Sequence, residues 1–192
     1  MSVSRKIYIT GVSGTGKSTL ARELNKRGVM AIDIDAVPGL CHWRNKETHE
    51  RADHQHGTGR DWLAAHDWVF DPEMLQRLLT QADTVVVLGF TRNQEEYFNL
   101  FDSIFLLRCP PEVFIHRLDT RTENQFAKEK SEQEHILAWY KNFEARMIKA
   151  GAIPIDTDRP ITEVAEVILT ELDKKEWENE LIDMESDNKR NR

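Results

Sequence analysis

The chain has 192 residues, 40% hydrophobic and 31% charged, a balance that suits one globular domain with a sizeable core and room for a lid or tail. No apolar run approaches the roughly 20 residues that span a bilayer, and the N-terminus enters strand-like sequence without an apolar signal region, so no membrane partner is expected and a reducing cytoplasm is. The formal net charge of −7, from 26 basic and 33 acidic side chains, argues against a general nucleic-acid binder, and Cys41 and Cys109, the only cysteines, form no paired framework.

Apolar runs of strand length alternate with stretches of helical length. Residues 6–10 (KIYIT) predict a buried strand, 17–27 a helix and 29–35 (VMAIDID) a second strand. Residues 36–66 break this rhythm with Pro38, Gly39, Gly57, Gly59 and five histidines, and are read as a substrate-binding insertion. A helix is predicted over 71–82, with Asp71 as N-cap and Pro72 in the first turn. The β-branched run 84–90 (TVVVLGF) is the clearest strand; 103–108 (SIFLLR) and 152–156 (AIPID) are a fourth and a fifth. Helices at about 93–101, 111–121, 131–150 and 160–173 fill the gaps, and the polar stretch 122–131 reads as a short lid. One domain over 1–172 is followed by a charged tail, 173–192; from Glu171 to Arg192 there are five basic and eight acidic side chains. Val- and Ile-rich strands separated by helices imply an α/β fold, a parallel sheet covered on both faces.

Gly11, Val12, Ser13, Gly14, Thr15, Gly16, Lys17, Ser18 and Thr19 match G-x-x-x-x-G-K-[ST] at every position, between a predicted strand and a predicted helix. Glycines let the backbone fold around a phosphate, and the helix N-terminus adds roughly half a positive charge. Lys17 would reach the β- and γ-phosphates of a nucleoside triphosphate and Ser18 would ligate Mg²⁺, so ATP and Mg²⁺ are the expected cofactors. The motif does not separate kinases from switches or motor ATPases. Asp33 and Asp35 end the second predicted strand, where a period of two puts both on one face. One suits Mg²⁺, through water; the other suits orienting or deprotonating an acceptor hydroxyl, helped by the pKa rise that a close pair of carboxylates produces. The third strand carries Leu88 and Gly89 where many P-loop NTPases place an acidic metal ligand, which leaves Asp33 as the metal candidate.

Together these features resemble the nucleoside-monophosphate-kinase group of P-loop proteins, which includes adenylate, shikimate and gluconate kinases. The resemblance implies a three-layer α/β/α sandwich around a five-stranded parallel sheet in the order 2-3-1-4-5, an acceptor-binding insertion after the second strand, and a mobile lid. It implies transfer of the γ-phosphoryl group of Mg-ATP to a small acceptor, a nucleotide or nucleoside in the leading reading. Gly89-Phe90-Thr91-Arg92 resembles the G-F-x-R segment whose Arg grips an acceptor phosphate, which marks Gly89 and Arg92. Arg117 and Arg121 resemble the arginines that run into the lid, the first stacking on adenine and the second contacting the transferred phosphates. Four residues apart, they would share one helix face. Lid closure would add Lys128 or Lys130, and Asp156 and Thr157 resemble the loop that frames the adenine ring. The Asp33-x-Asp35 pair looks more like shikimate kinase. A non-nucleotide acid or alcohol is therefore the alternative acceptor, and a regulatory NTPase without a small acceptor is a third reading.

Arg44, Arg60, Arg92 and Arg146 are candidates for gripping an anionic acceptor, since a guanidinium fork matches phosphate and carboxylate oxygens; Arg92 is the first choice and Arg44 the second. His42, His49, His54, His56 and His66, with Cys41, match no zinc spacing. Trp43, Trp62 and Trp68 either stack on a base or sugar ring or pack the insertion onto the sheet. The acidic balance disfavours a polynucleotide acceptor.

Overall fold

The computed structural model describes residues 4–54, 60–122, 127 and 129–172. In chain order the elements are β1 (Arg5–Thr10), α1 (Lys17–Lys26), β2 (Ala31–Asp33), a 3-10 turn (Ile34–Ala36), β3 (Cys41–Asn45), β4 (Arg51–Ala52), α2 (Arg60–Ala65), β5 (His66–Phe70), α3 (Pro72–Leu79), β6 (Thr84–Leu88), a 3-10 segment (Gln94–Leu100), β7 (Ser103–Arg108), α4 (Pro111–Thr120), α5 (Lys130–Lys149) and β8 (Ile153–Asp156). A last helix, α6, covers 161–172. Among the described residues no helix is long and apolar enough to cross a membrane.

Five strands form one parallel sheet in the order β2-β6-β1-β7-β8. Numbered within this sheet alone, the order is the expected 2-3-1-4-5. The strand period of two decides which helices cover which face. Ile7 and Ile9 of β1, Val86 and Leu88 of β6 and Phe105 and Leu107 of β7 turn to one side, against Leu20, Ala21 and Leu24 of α1 and Val164, Ala165 and Ile168 of α6. Tyr8, Val85 and Val87 turn to the other, against Leu75, Leu78 and Leu79 of α3. Leu106 packs on that side with α4 and α5. The buried Ile136, Tyr140, Phe143 and Met147 of α5 recur at spacings of four, three and four, which lays one stripe of a long helix on the sheet. Asp71 accepts the Met74 N–H at 3.1 Å and Pro72 opens α3, as the sequence leads one to expect.

Three differences from the sequence reading follow from tertiary packing. The second strand stops at Asp33, and Ile34–Ala36 turns into a 3-10 helix whose N-cap is the Asp33 side chain. The stretch after it is not mere loop: β4-β3-β5 form an antiparallel sheet reaching to Phe70, with Phe70 in the same core as Tyr8 and Leu75. Gln94–Leu100 is 3-10 rather than α-helical, because Gln94 is drawn inward. Its side-chain oxygen accepts from Tyr8 (3.0 Å) and Thr10 (2.9 Å), and its amide reaches the Met147 sulfur at 3.2 Å. Half of the segment read as a lid (residues 123–126 and Lys128) and the tail 173–192 lie outside the described residues.

Candidate active site

The site is built at the carboxyl ends of the parallel strands, where open α/β sheets bind ligands. β1 ends at Thr10, and the loop to α1 turns on Gly14 (φ 87°) and Gly16 (φ 97°). A side chain at Gly14 would lie 2.6 Å from the Phe114 carbonyl, so the loop passes against α4 only without a Cβ. Thr15 is buried, and its hydroxyl donates to the Val12 carbonyl at 2.8 Å, which shapes the loop from inside. The first bond of α1 runs from the Leu20 N–H to the Gly16 carbonyl at 2.8 Å. The N–H groups of Lys17, Ser18 and Thr19 therefore precede the helical ladder, a ready anion site. Ser13 is half-buried; Ser18 and Thr19 are exposed at the helix start.

Lys17 lies over this loop, its ammonium donating to the carbonyls of Gly11 (2.7 Å) and Val12 (3.0 Å). Desolvation brings its pKa down to about 8, opposed by the charges of Asp35 and Asp33 and reinforced by Arg121. These four groups converge from β2, the 3-10 turn, the phosphate loop and the end of α4. The Asp35 carboxyl is pushed up, first by desolvation and then by Asp33, with Lys17, Trp68 and Arg121 acting against the rise. Asp35 keeps solvent access, as the wall of an open cleft does. Burial works against the charge of Arg121, and Asp35 and Glu132 support it.

The two aspartates are not on one strand face. Asp33 closes β2 while Asp35 stands on the 3-10 turn, and the link between them is the Asp35 N–H donating to Asp33 Oδ1 at 3.2 Å. The turn fits because position 89 is glycine: a Cβ there would overlap the Ile34 side chain. The register pairs Asp33 with Leu88, so its backbone stands one strand over, roughly 4.8 Å, from the end of β6.

Arg117 and Arg121 stand four residues apart at the end of α4, where Arg121 is the C-cap and its N–H donates to the Arg117 carbonyl at 3.1 Å. Arg117 turns to the loop after β8, donating to the Thr157 carbonyl at 2.8 Å and reaching its hydroxyl at 3.4 Å. Thr157 is buried and bonded to the Arg108 carbonyl, whereas Asp156 is exposed and accepts the Asp158 N–H. The candidate anion grips lie beside carboxylates. Arg92 is 3.8 Å from Asp67 with its side chain 52% exposed, Arg44 is paired with Asp67 in the β3–β5 register, and Arg146 bonds Glu95 at 2.8 Å. The Arg60 side chain lies outside the described residues.

Trp43 of β3, Trp68 of β5 and Trp62 of α2 gather beside the antiparallel sheet: Trp43 lies 5.2 Å from Trp62 and 5.4 Å from Trp68, and Trp62 stacks on His66 at 4.0 Å. Among the described residues no group of three or more His, Cys, Asp or Glu side chains is placed to hold a metal. Sequence reasoning missed Gln94, which binds the phosphate-loop strand to α5. It has no local signal, since it joins segments far apart in the chain.

The fold is that of the small P-loop kinases. A shikimate kinase from Acinetobacter baumannii superposes with a TM-score of 0.61 at 16% identity, covering 91% of this chain and 96% of its own. A deoxyadenosine kinase from M. mycoides gives 0.53 at 16% identity, over 88% and 98%. A gluconokinase from Sinorhizobium meliloti gives 0.52 at 18%, over 93% and 99%. No curated protein matches the sequence. The family profile described as AAA domain matches residues 7–138, from β1 through the phosphate loop and into α5, and the chain belongs to that family.

Proposed function

We propose that the protein is a kinase that transfers the γ-phosphoryl group of Mg-ATP to a hydroxyl of a small acceptor, a nucleoside or nucleotide in the leading reading. The observation that carries this is that Lys17, folded over the carbonyls of Gly11 and Val12, lies within charge range of both Asp35 and Arg121. A nucleotide switch needs the loop; it has no need of a base facing an arginine across the phosphates. Asp35 would orient the acceptor hydroxyl and take its proton as the oxygen bonds to the γ-phosphorus and the bond to the β–γ bridging oxygen breaks. Lys17 and Arg121 would hold the charge on the equatorial oxygens, the main catalytic task in such transfers. Ser18, exposed at the start of α1, and Asp33, beside position 88, fit the sparse protein donor set of a phosphate-bound Mg²⁺. When bound, that ion neutralises the β- and γ-oxygens. Arg117 and the Asp156–Thr157 loop are the proposed wall of the adenine site.

The cluster of Trp43, Trp62 and Trp68 supports an acceptor with a flat ring, and the antiparallel sheet that carries Trp43 and Trp68 is the proposed acceptor-binding insertion. The second reading, a carboxylate-bearing alcohol, is favoured by Arg92, whose exposed side chain and loose 3.8 Å contact leave it able to turn to an anion. A panel of nucleosides, nucleoside monophosphates, shikimate and gluconate, scored by ADP release from Mg-ATP, separates the readings. Nucleosides or nucleotides are expected to stimulate release at least about 10-fold, a difference of about 1.4 kcal/mol in barrier. Stimulation by the acids alone would move the assignment to the second reading.

A further inference from the structure

The antiparallel sheet has two unlike faces. Trp43 and Trp68 pair in register across β3 and β5, and so, one position along, do Arg44 and Asp67. The strand period of two therefore turns the tryptophans to one face and Arg44 and Asp67 to the other. On this second face cations outnumber carboxylates. Asp67 Oδ1 lies 3.6 Å from the Lys46 ammonium and 3.8 Å from Arg92 Nε, ion-pair distances at which neither makes a hydrogen bond. Lys46 is steadied by the Ala64 carbonyl. Arg92 is brought alongside β5 by its own N–H, which donates to the Trp68 carbonyl at 2.7 Å. Three positive charges thus gather on one negative charge. Arg44 is also paired with Arg51 of β4, and like charges directly opposite destabilise a sheet. Arg51 is neutralised by Asp71 at 2.9 Å; among the described residues Arg44 has no ion pair of its own. This accumulation runs against the chain's net charge of −7.

We propose that this face is a binding site for the phosphate group of a small molecule, gripped by Arg44, Lys46 and Arg92. Asp67 holds the three cations together in the free protein and gives way to the phosphate. The surplus of positive charge matches a phosphate monoester, which carries about −1.5 to −2 at pH 7, and a guanidinium fork fits its oxygens. The site lies on the face opposite Trp43 and Trp68, and the inference does not rest on the transfer reading.

The test is inorganic phosphate titrated into the full chain while a non-hydrolysable Mg-ATP analogue fills the phosphate loop. The Asp67 backbone amide resonance is expected to shift saturably. Arg44→Gln is expected to weaken that binding on the order of 10-fold, as loss of a hydrogen bond to a charged group does. Lys46→Gln, at an exposed side chain outside the strands, is expected to weaken it in the same direction whether or not Arg44→Gln folds. Asp67→Asn removes the competing carboxylate and is expected to tighten it about 3-fold or more. Adenosine monophosphate, titrated in the same way, separates the sources of the phosphate: saturation at lower concentration than inorganic phosphate assigns the site to a nucleotide, at higher concentration to the free ion. Shifts that vanish once the ATP analogue is bound belong to the phosphate loop and overturn the proposal. So does binding unchanged in Lys46→Gln, or binding weakened in Asp67→Asn.

Discussion

Arg121→Ala is expected to lower kcat on the order of 10³-fold while changing ATP affinity by less than about 3-fold. An arginine that meets charge developing on a transferred phosphoryl group contributes at least that factor in related chemistry, and an interaction made only in the transition state appears in kcat rather than in binding. The guanidinium comes from the C-cap of α4, with Asp35 and Glu132 as its charge partners. In the proposed complex ATP would be held chiefly by the backbone N–H groups of the phosphate loop and by Lys17, which the substitution leaves alone. Single-turnover rates and nucleotide titration of the purified variant measure the two quantities separately. Equal losses in both would place Arg121 in ground-state binding and remove it from the chemistry.

Asp35→Asn is expected to cost about 10²- to 10⁴-fold in kcat, the usual range for a general base, and to remove the acidic limb of the pH–rate profile. Desolvation and Asp33 raise the Asp35 carboxyl, and only its ionised form accepts a proton. Activity therefore falls as pH drops through a pKa above the ordinary carboxylate value of about 3.9. The alkaline limb has a different owner. In the free protein Lys17 titrates at about 8, so kcat/KM for ATP falls as pH rises through that value and the ammonium is lost. Bound phosphates favour the charged form, so kcat itself stays flat over the same range. Profiles of kcat and kcat/KM against pH for the wild-type chain and Asp35→Asn check both limbs. An acidic limb that persists in Asp35→Asn would show that another group is the base.

The phosphate loop was legible in the sequence because its chemistry is local: nine consecutive residues carry the glycines, the lysine and the hydroxyl at fixed spacing. The parallel sheet was legible for a similar reason, each strand being a short apolar run between helical stretches. Asp33 and Asp35 were visible as residues, but their placement was not. The strand period assumed for them fails where Gly89 lets Ile34 close over the end of β6 and the chain tightens into a 3-10 turn. Arg117 and Arg121 were visible by their spacing, but the groups they meet, Thr157 for the first and the charges of Asp35 and Glu132 for the second, come from segments far apart in the chain. Trp68 was visible as an aromatic residue of the insertion. Its packing against the core that contains Ile34 depends on how a second sheet packs against the first, and no spacing in the chain encodes that.

The central claim is transfer, as opposed to hydrolysis, and the fate of the γ-phosphate tests it most directly. Purified protein given γ-labelled Mg-ATP and the acceptor that best stimulates ADP release is expected to place the label on that acceptor's hydroxyl, one label per ADP formed. Lys17→Ala is expected to form neither product. Label released as inorganic phosphate at a rate indifferent to every acceptor would contradict the account and leave the chain an NTPase without a small acceptor.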